Sequence, residues 1–226
     1  MTQNLQTILF DFDYTLADSS RGVVECINYA LENLGLPMVS AEQACRTIGL
    51  SLPATFVTLM GEEHRALSNE FVRLFVQRAN QVMADRTILF ELTPPTIRAL
   101  KENGLKLGIV STKYRHRIEA ILNREGLSDA FDIIIGGEDV AEHKPDPTGL
   151  KIALDRLACT PAETLYVGDS LTDAQTAQRA AVCFIAVLSG VTPKNAFNGY
   201  PVYRFLGNVS ELPNLLKLPP KRTFDQ

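Results

Sequence analysis

Two carboxylates one residue apart, in the run Asp11-Phe12-Asp13-Tyr14-Thr15, follow directly on the apolar stretch 5–10. That stretch, with Leu5, Ile8, Leu9 and Phe10, is too short for a helix and reads as a buried strand. Side chains on extended backbone repeat with period two, so Asp11 and Asp13 are expected to point the same way. At the carboxyl end of a parallel strand they face the crevice where open α/β sheets hold ligands. Two such charges repel unless a cation sits between them, and a hard, oxygen-seeking ion such as Mg²⁺ suits them. The same five residues also fit a plain strand-end turn with solvated acids and a threonine cap.

Three further polar sites fall at or beside the carboxyl ends of expected strands. Ser111 follows the apolar run 106–110, Lys144 stands in His143-Lys144-Pro145-Asp146-Pro147, and Asp169 and Asp173 belong to Gly168-Asp169-Ser170-Leu171-Thr172-Asp173. Each has a bland reading: Ser111 as a helix N-cap, Lys144 as a loop lysine, the acidic turn as capping. The order and spacing of all four together are far harder to reach by accident. His64, His116 and His143 are scattered without metal-ligand spacing. Lys113, Tyr114 and Arg115 lie within reach of Ser111. Arg46, Thr47 and Ser51 surround Gly49 at a break between helices, which on composition alone is equally a solvated turn.

The elements that must position these groups alternate. Strands are expected near 106–110, 131–135, 165–167, 183–188 and 203–206, with helices opening at Thr93, after Ser111, at Thr148 and at Leu171, and a short helix at 210–216. Strict alternation of strand and helix means a parallel sheet covered on both faces. Between residues 18 and 86 only helical spacing is visible. Ser19 or Ser20 caps a first helix that Gly35 ends, Ser40 with Gln43 forms a capping-box pattern, and 62–83 carries one long apolar stripe. The expected architecture is α/β: a Rossmann-like parallel core over 1–17 and 87–216, with a helical cap, 18–86, inserted after the first strand. Hinges fall near 17–19 and 85–89, and 217–226 reads as a flexible tail.

A chain of 226 residues, 46% hydrophobic, can bury a full core. Its net charge of −4 argues against a nucleic-acid partner. No signal-peptide pattern or run approaching a membrane span is present, which points to the cytoplasm. Cys26, Cys45, Cys159 and Cys183 show no paired spacing and read as buried thiols of a reducing compartment. Oligomeric state has no signature here.

Taken together, DFDYT, the Ser of STK, the Lys of KPDP and GDSLTD resemble, in that order, the haloacid dehalogenase superfamily over nearly the whole chain. Within it they resemble the phosphoglycolate phosphatase-like branch. The resemblance implies a Mg²⁺-dependent phosphatase for a small phosphate monoester, working through an aspartyl-phosphate. It implies Asp11 as nucleophile and Asp13 as the group that protonates the leaving oxygen and later takes a proton from water. Shielding by the cap would help Asp13 hold that proton. Ser111 would bond a phosphoryl oxygen, with Thr15 and Thr112 in the same substrate-binding set, and Lys144 would offset the charge of nucleophile and phosphate. Asp11, the Asp13 backbone carbonyl and Asp169 would hold Mg²⁺, with Asp173 and Ser170 orienting the groups around it. A cap loop would read the leaving group, with Arg46 and Lys113 as the cations nearest in sequence for a substrate carboxylate.

One departure is Tyr14, where the family usually has glycine. A 2-haloacid dehalogenase would lack Asp13 and need no metal. A phosphonate hydrolase would need a cap lysine, and 18–86 contains none. A phosphosugar mutase or an inorganic pyrophosphatase on the same scaffold, or a catalytically silent binding protein, stay compatible with the motifs.

Overall fold

The computed structural model describes residues 5–218. Strand β1 (Thr7–Phe10) is fully buried and lies at the centre of the sheet. The chain then forms β2 (Ala17–Asp18) and four helices: α1 (Ser20–Asn33), α2 (Ala41–Cys45), α3 (Leu52–Met60) and α4 (Ser68–Arg86). After β3 (Ile88–Leu89) the alternation begins. It runs α5 (Thr93–Glu102), β4 (Lys106–Val110), α6 (Arg115–Arg124), β5 (Ile133–Ile135), α7 (Thr148–Leu157), β6 (Thr164–Gly168), α8 (Leu171–Arg179), β7 (Cys183–Val187), β8 (Val202–Leu206) and α9 (Leu212–Leu215).

The six-stranded sheet has the order β5-β4-β1-β6-β7-β8, and every pairing is parallel. Strand order reverses at β1, so the carboxyl ends of β4, β1 and β6 meet at the switch point where such sheets bind ligands. Alternating residues of β1 feed two cores. Ile8 and Phe10 join Ile109, Val167 and Ile185 on one face, and Leu9 joins Tyr166, Phe184 and Leu150 on the other. The inserted helices bury a third core of their own, in which Phe71 packs against Phe56 with ring centres 4.8 Å apart and against Phe75 at 6.1 Å.

Several details differ from the sequence reading. The two crossings between core and insertion are hydrogen-bonded to each other: β2 and β3 pair antiparallel, Ala17 opposite Leu89 and Asp18 opposite Ile88. The stripe over 62–83 is divided, with a 3₁₀ turn over Glu62–Leu67 before α4. Helix α3, opened by Pro53 in its first turn, had no expected counterpart. The capping box of Ser40 and Gln43 is formed as expected. Of the four free thiols only Cys26 is buried; Cys45, Cys159 and Cys183 are partly exposed. The expected tail lies outside the described residues beyond Leu218, and Lys217 and Leu218 hydrogen-bond back to Asn214 and Pro213. Among the described residues no helix is long and apolar enough to cross a membrane.

Because the insertion has its own core, a cavity made there should be felt there first. Phe71→Ala should cost about 3–5 kcal/mol. Amide exchange should then rise through α1, α3 and α4 while β1 and β6 keep their protection. Equal loss of protection in the sheet would mean that insertion and core open as one unit.

Candidate active site

Asp11 stands one residue beyond β1, its backbone N–H donating to Val167 O at 2.9 Å, so the sheet itself fixes the start of the motif. The carboxylate is 2% exposed, and Lys144 Nζ lies 2.9 Å from its Oδ1. The same ammonium lies 2.6 Å from Oδ1 of Asp173, which is wholly buried in the first turn of α8. Tyr166 of β6 closes the group, donating its phenol hydrogen toward Asp173 Oδ1 and Val110 O at 3.0 and 3.1 Å. Ser170 caps α8 in a capping box with Asp173, whose other oxygen accepts from the Ser170 N–H at 3.0 Å. Asp173 and Ser170 thus orient Lys144, and Lys144 orients Asp11.

Asp169 follows β6 and is buried, and among the described residues the Thr15 hydroxyl at 3.4 Å is the one side-chain donor that reaches it. Gly190 presses against it: a Cβ there would fall 1.9 Å from Asp169 Oδ2, so no side chain is compatible with that approach. Oxygen atoms of Asp11, Asp169 and Asp173 lie within 4.8 Å of one another. Three buried carboxylates face the single Lys144 ammonium, an excess of negative charge that burial makes expensive. Burial pushes the Asp11 carboxyl up to about 6, with Lys144 opposing and Asp173 adding to the rise. Burial and then the charges of Asp173 and Asp11 hold Asp169 well above the ordinary carboxylate range. Lys144 is held above its ordinary value, since the two carboxylates outweigh its burial. An all-oxygen cluster with charge in excess fits a small hard divalent cation.

Asp13 has a lysine of its own: Lys113 Nζ lies 2.8 Å from Asp13 Oδ1 in a buried ion pair. Its side chain is not one of the three-carboxylate cluster, although its charge adds to the rise of Asp11. Lys113, expected as a cation for the leaving group, has this partner already. Ser111 is buried beside them, but the residue before α6 is Tyr114, so Ser111 is not that helix's cap; its Oγ accepts from the Lys113 N–H at 3.3 Å.

Tyr14 adopts φ 61°, the left-handed region natural to the glycine it replaces. Its carbonyl accepts from Ser189 Oγ at 2.6 Å. Its phenol is held above its usual range by burial and by a hydrogen bond with Cys45, the last residue of α2, so the motif loop touches the insertion.

A cavity of about 190 Å³ lies between core and insertion. Asp13, Thr112 and Lys113 line it from the core, while Ile27, Leu50 and Phe75 are among the apolar residues that line it from the insertion. The loop after α2 reaches it through Thr47, Ile48 and Ser51, and Gly49, with φ 95°, brings this loop against Ser170 of the core. Arg46 is not among the lining residues; it points to solvent and pairs with Glu42 at 2.5 Å, one helical turn back. Arg117 and His143 line the cavity although the sequence reading gave neither a role there. Tyr166 also escaped that reading, its one signal being a phenol within an otherwise apolar buried strand.

Known proteins are similar to this chain in sequence and in fold. The family model for haloacid dehalogenase-like hydrolases matches residues 8–187. A phosphoglycolate phosphatase of Salmonella typhi is 31% identical over 209 residues, with 83% of each chain covered. One from Aquifex aeolicus is 31% identical over 192 residues, covering 85% of this chain and 89% of its own. A Bacteroides fragilis crystal structure described as a haloacid dehalogenase-like hydrolase superposes with a TM-score of 0.89 at 46% identity, covering 92% of this chain and 99% of that one. With the motif residues gathered at one sheet edge and the family match running from β1 through β7, the chain belongs to the haloacid dehalogenase-like hydrolase family.

Proposed function

We propose that the protein is a Mg²⁺-dependent phosphatase for a small phosphorylated metabolite, phosphoglycolate or a close relative, acting through an aspartyl-phosphate at Asp11. The observation that carries this reading is the Lys144 ammonium, 2.9 Å from Asp11 and buried beside a three-carboxylate cluster. An ionised carboxylate is a competent nucleophile toward phosphorus once the repulsion between two anions is offset. Lys144 supplies that offset, and Asp173 keeps its Nζ aimed at Asp11. Asp11 and Asp169, with the Asp13 carbonyl, would hold Mg²⁺, which when bound screens the phosphoryl oxygens. Ser111, Thr112 and Thr15 would supply hydroxyl donors to the phosphoryl oxygens.

Asp13 is the group on the cavity side of the nucleophile, suited to give a proton to the leaving oxygen and to take one from the attacking water. The dianion of an incoming ester competes for Lys113 and so frees Asp13 for that exchange. The insertion shields the reaction from bulk water, and its opening releases product. Relatives named phosphoglycolate phosphatase support the choice of substrate class. The four unpaired thiols suit a cytoplasmic setting.

Hydrolysis of phosphoglycolate and of an aryl phosphate should require Mg²⁺. Asp11→Asn should abolish it together with acid-stable capture of a phosphorylated protein from rapidly quenched turnover. Substantial turnover by that variant would point to another nucleophile. Asp13→Asn should slow turnover by roughly 10²–10⁴-fold; a loss below tenfold would leave Asp13 no part in proton transfer.

Metal binding should also be visible without turnover. Asp11 and Asp169 hold protons more tightly folded than unfolded, so the metal-free fold loses stability as pH rises from 3.8 through about 6, the value reached by Asp11. A cation that replaces those protons has more to offset at pH 7.5 than at pH 5. Mg²⁺ at a hundred times its Kd should add about 2.7 kcal/mol at pH 7.5, read as a rise in melting temperature. The rise should shrink at pH 5 and vanish in Asp169→Ala; a shift independent of Asp169 would put the ion elsewhere.

A further inference from the structure

We propose that Arg117 is the residue that recognises a carboxylate on the leaving group, the role that Arg46 and Lys113 were expected to share. The inference rests on the phosphatase reading above and deepens it by naming the specificity-determining side chain.

Arg117 lies in the first turn of α6 and lines the cavity together with Asp13 and Lys113. It is 4% exposed, yet among the described residues no carboxylate lies within ion-pairing distance of its guanidinium. Its direct partners are neutral: Nη2 and Nε donate to the Asn80 side-chain oxygen at 2.7 and 3.3 Å, and Nη2 reaches Val76 O at 3.5 Å, while the charges of Glu138 and Asp13 act on it only from beyond ion-pairing distance. The Tyr114 ring lies 4.7 Å from its Cζ. Burial weakens its hold on its proton, and the Cys26 thiol nearby is itself pushed up to about 12 and so carries no charge at neutral pH.

The arginines of the insertion make the contrast. Arg46, Arg65, Arg73, Arg78 and Arg86 each meet a glutamate, Arg21 is exposed on α1, and none of the six lines the cavity. Lys113 pairs with Asp13 and, in the reading above, turns to the phosphoryl group of the ester. Arg117 is therefore the cavity's guanidinium whose charge lacks an anion. A buried cation whose direct partners are neutral is costly, and Nη1, which has no hydrogen-bond partner among the described residues, leaves N–H donors for a carboxylate. The apolar wall formed by Ile27, Leu50 and Phe75 strengthens the interaction by excluding water, and offers no competing charge.

Because Arg117 also holds α4 through Asn80, the test must separate recognition from support. Wild-type chain, Arg117→Gln, Arg117→Lys and Asn80→Ala are compared with Mg²⁺ on phosphoglycolate and on ethyl phosphate, which lacks the carboxylate. Calorimetric binding of phosphonoacetate and ethylphosphonate gives a second readout. Arg117→Gln should lower the ratio of kcat/KM for phosphoglycolate over ethyl phosphate by about 10–100-fold and weaken phosphonoacetate at least about tenfold more than ethylphosphonate. Arg117→Lys should recover part of the ratio, and Asn80→Ala should leave the ratio within about threefold. Equal losses on both substrates, or a wild type that binds the two phosphonates alike, would overturn the assignment and leave Arg117 a strut for α4. If no ester is hydrolysed but phosphonoacetate binding still depends on Arg117, the assignment stands and the phosphatase reading falls.

Discussion

One buried ammonium organises the catalytic edge of this protein. Lys144 reaches from the loop before α7 and lies 2.9 Å from Asp11 and 2.6 Å from Asp173. Those carboxylates belong to elements on opposite sides of the switch point, so the charge fixes their relative position. Without it, nothing would offset the burial that already raises Asp11, in a site from which water is nearly excluded. Tyr166 and the capping box of α8 complete the arrangement by leaving Asp173 little freedom to move.

Most of the core was legible in the sequence because its signals are local. The strand over 106–110 is an apolar run bounded by Gly104 and Ser111, and the observed β4 has those limits. The four motif sites were legible for the same reason: each sits at a strand end, where a polar residue after an apolar run stands out. What escaped depends on residues far apart in the chain. Lys113 and Asp13 are separated by 100 positions, and nothing near Asp13 signals that it has a lysine of its own. Arg117 reads as an ordinary polar residue of an amphipathic helix until α4 packs over it. Helix α3, with Thr55, Phe56, Val57 and Thr58 in its middle, carries β-branched residues that obscure a helical period. Arg46 lies near the cap loop in sequence, but Glu42 four residues earlier gives it a surface partner.

Tyr14 shows how a departure from the family pattern is accommodated. A left-handed backbone at a bulky residue costs on the order of 1–3 kcal/mol and persists where the surroundings fix it. Here Ser189 holds the carbonyl from the core side and Cys45 meets the phenol from the insertion side. The side chain that glycine lacks thus links the motif loop to the helices above it.

The β2–β3 ribbon has a mechanical consequence. Two independent linkers would let the helical insertion twist, slide and tilt over the sheet. Zipped side by side by the pairing of Ala17 with Leu89 and Asp18 with Ile88, the crossings behave as one axle. Arg124 on α6 donates to Ala84 O and Thr87 O beside that axle, which pins its near end to the core. With these bonds in place, rotation about the ribbon is the motion that the paired crossings oppose least. The backbone pairing thus sets where the insertion joins the core that carries Asp13.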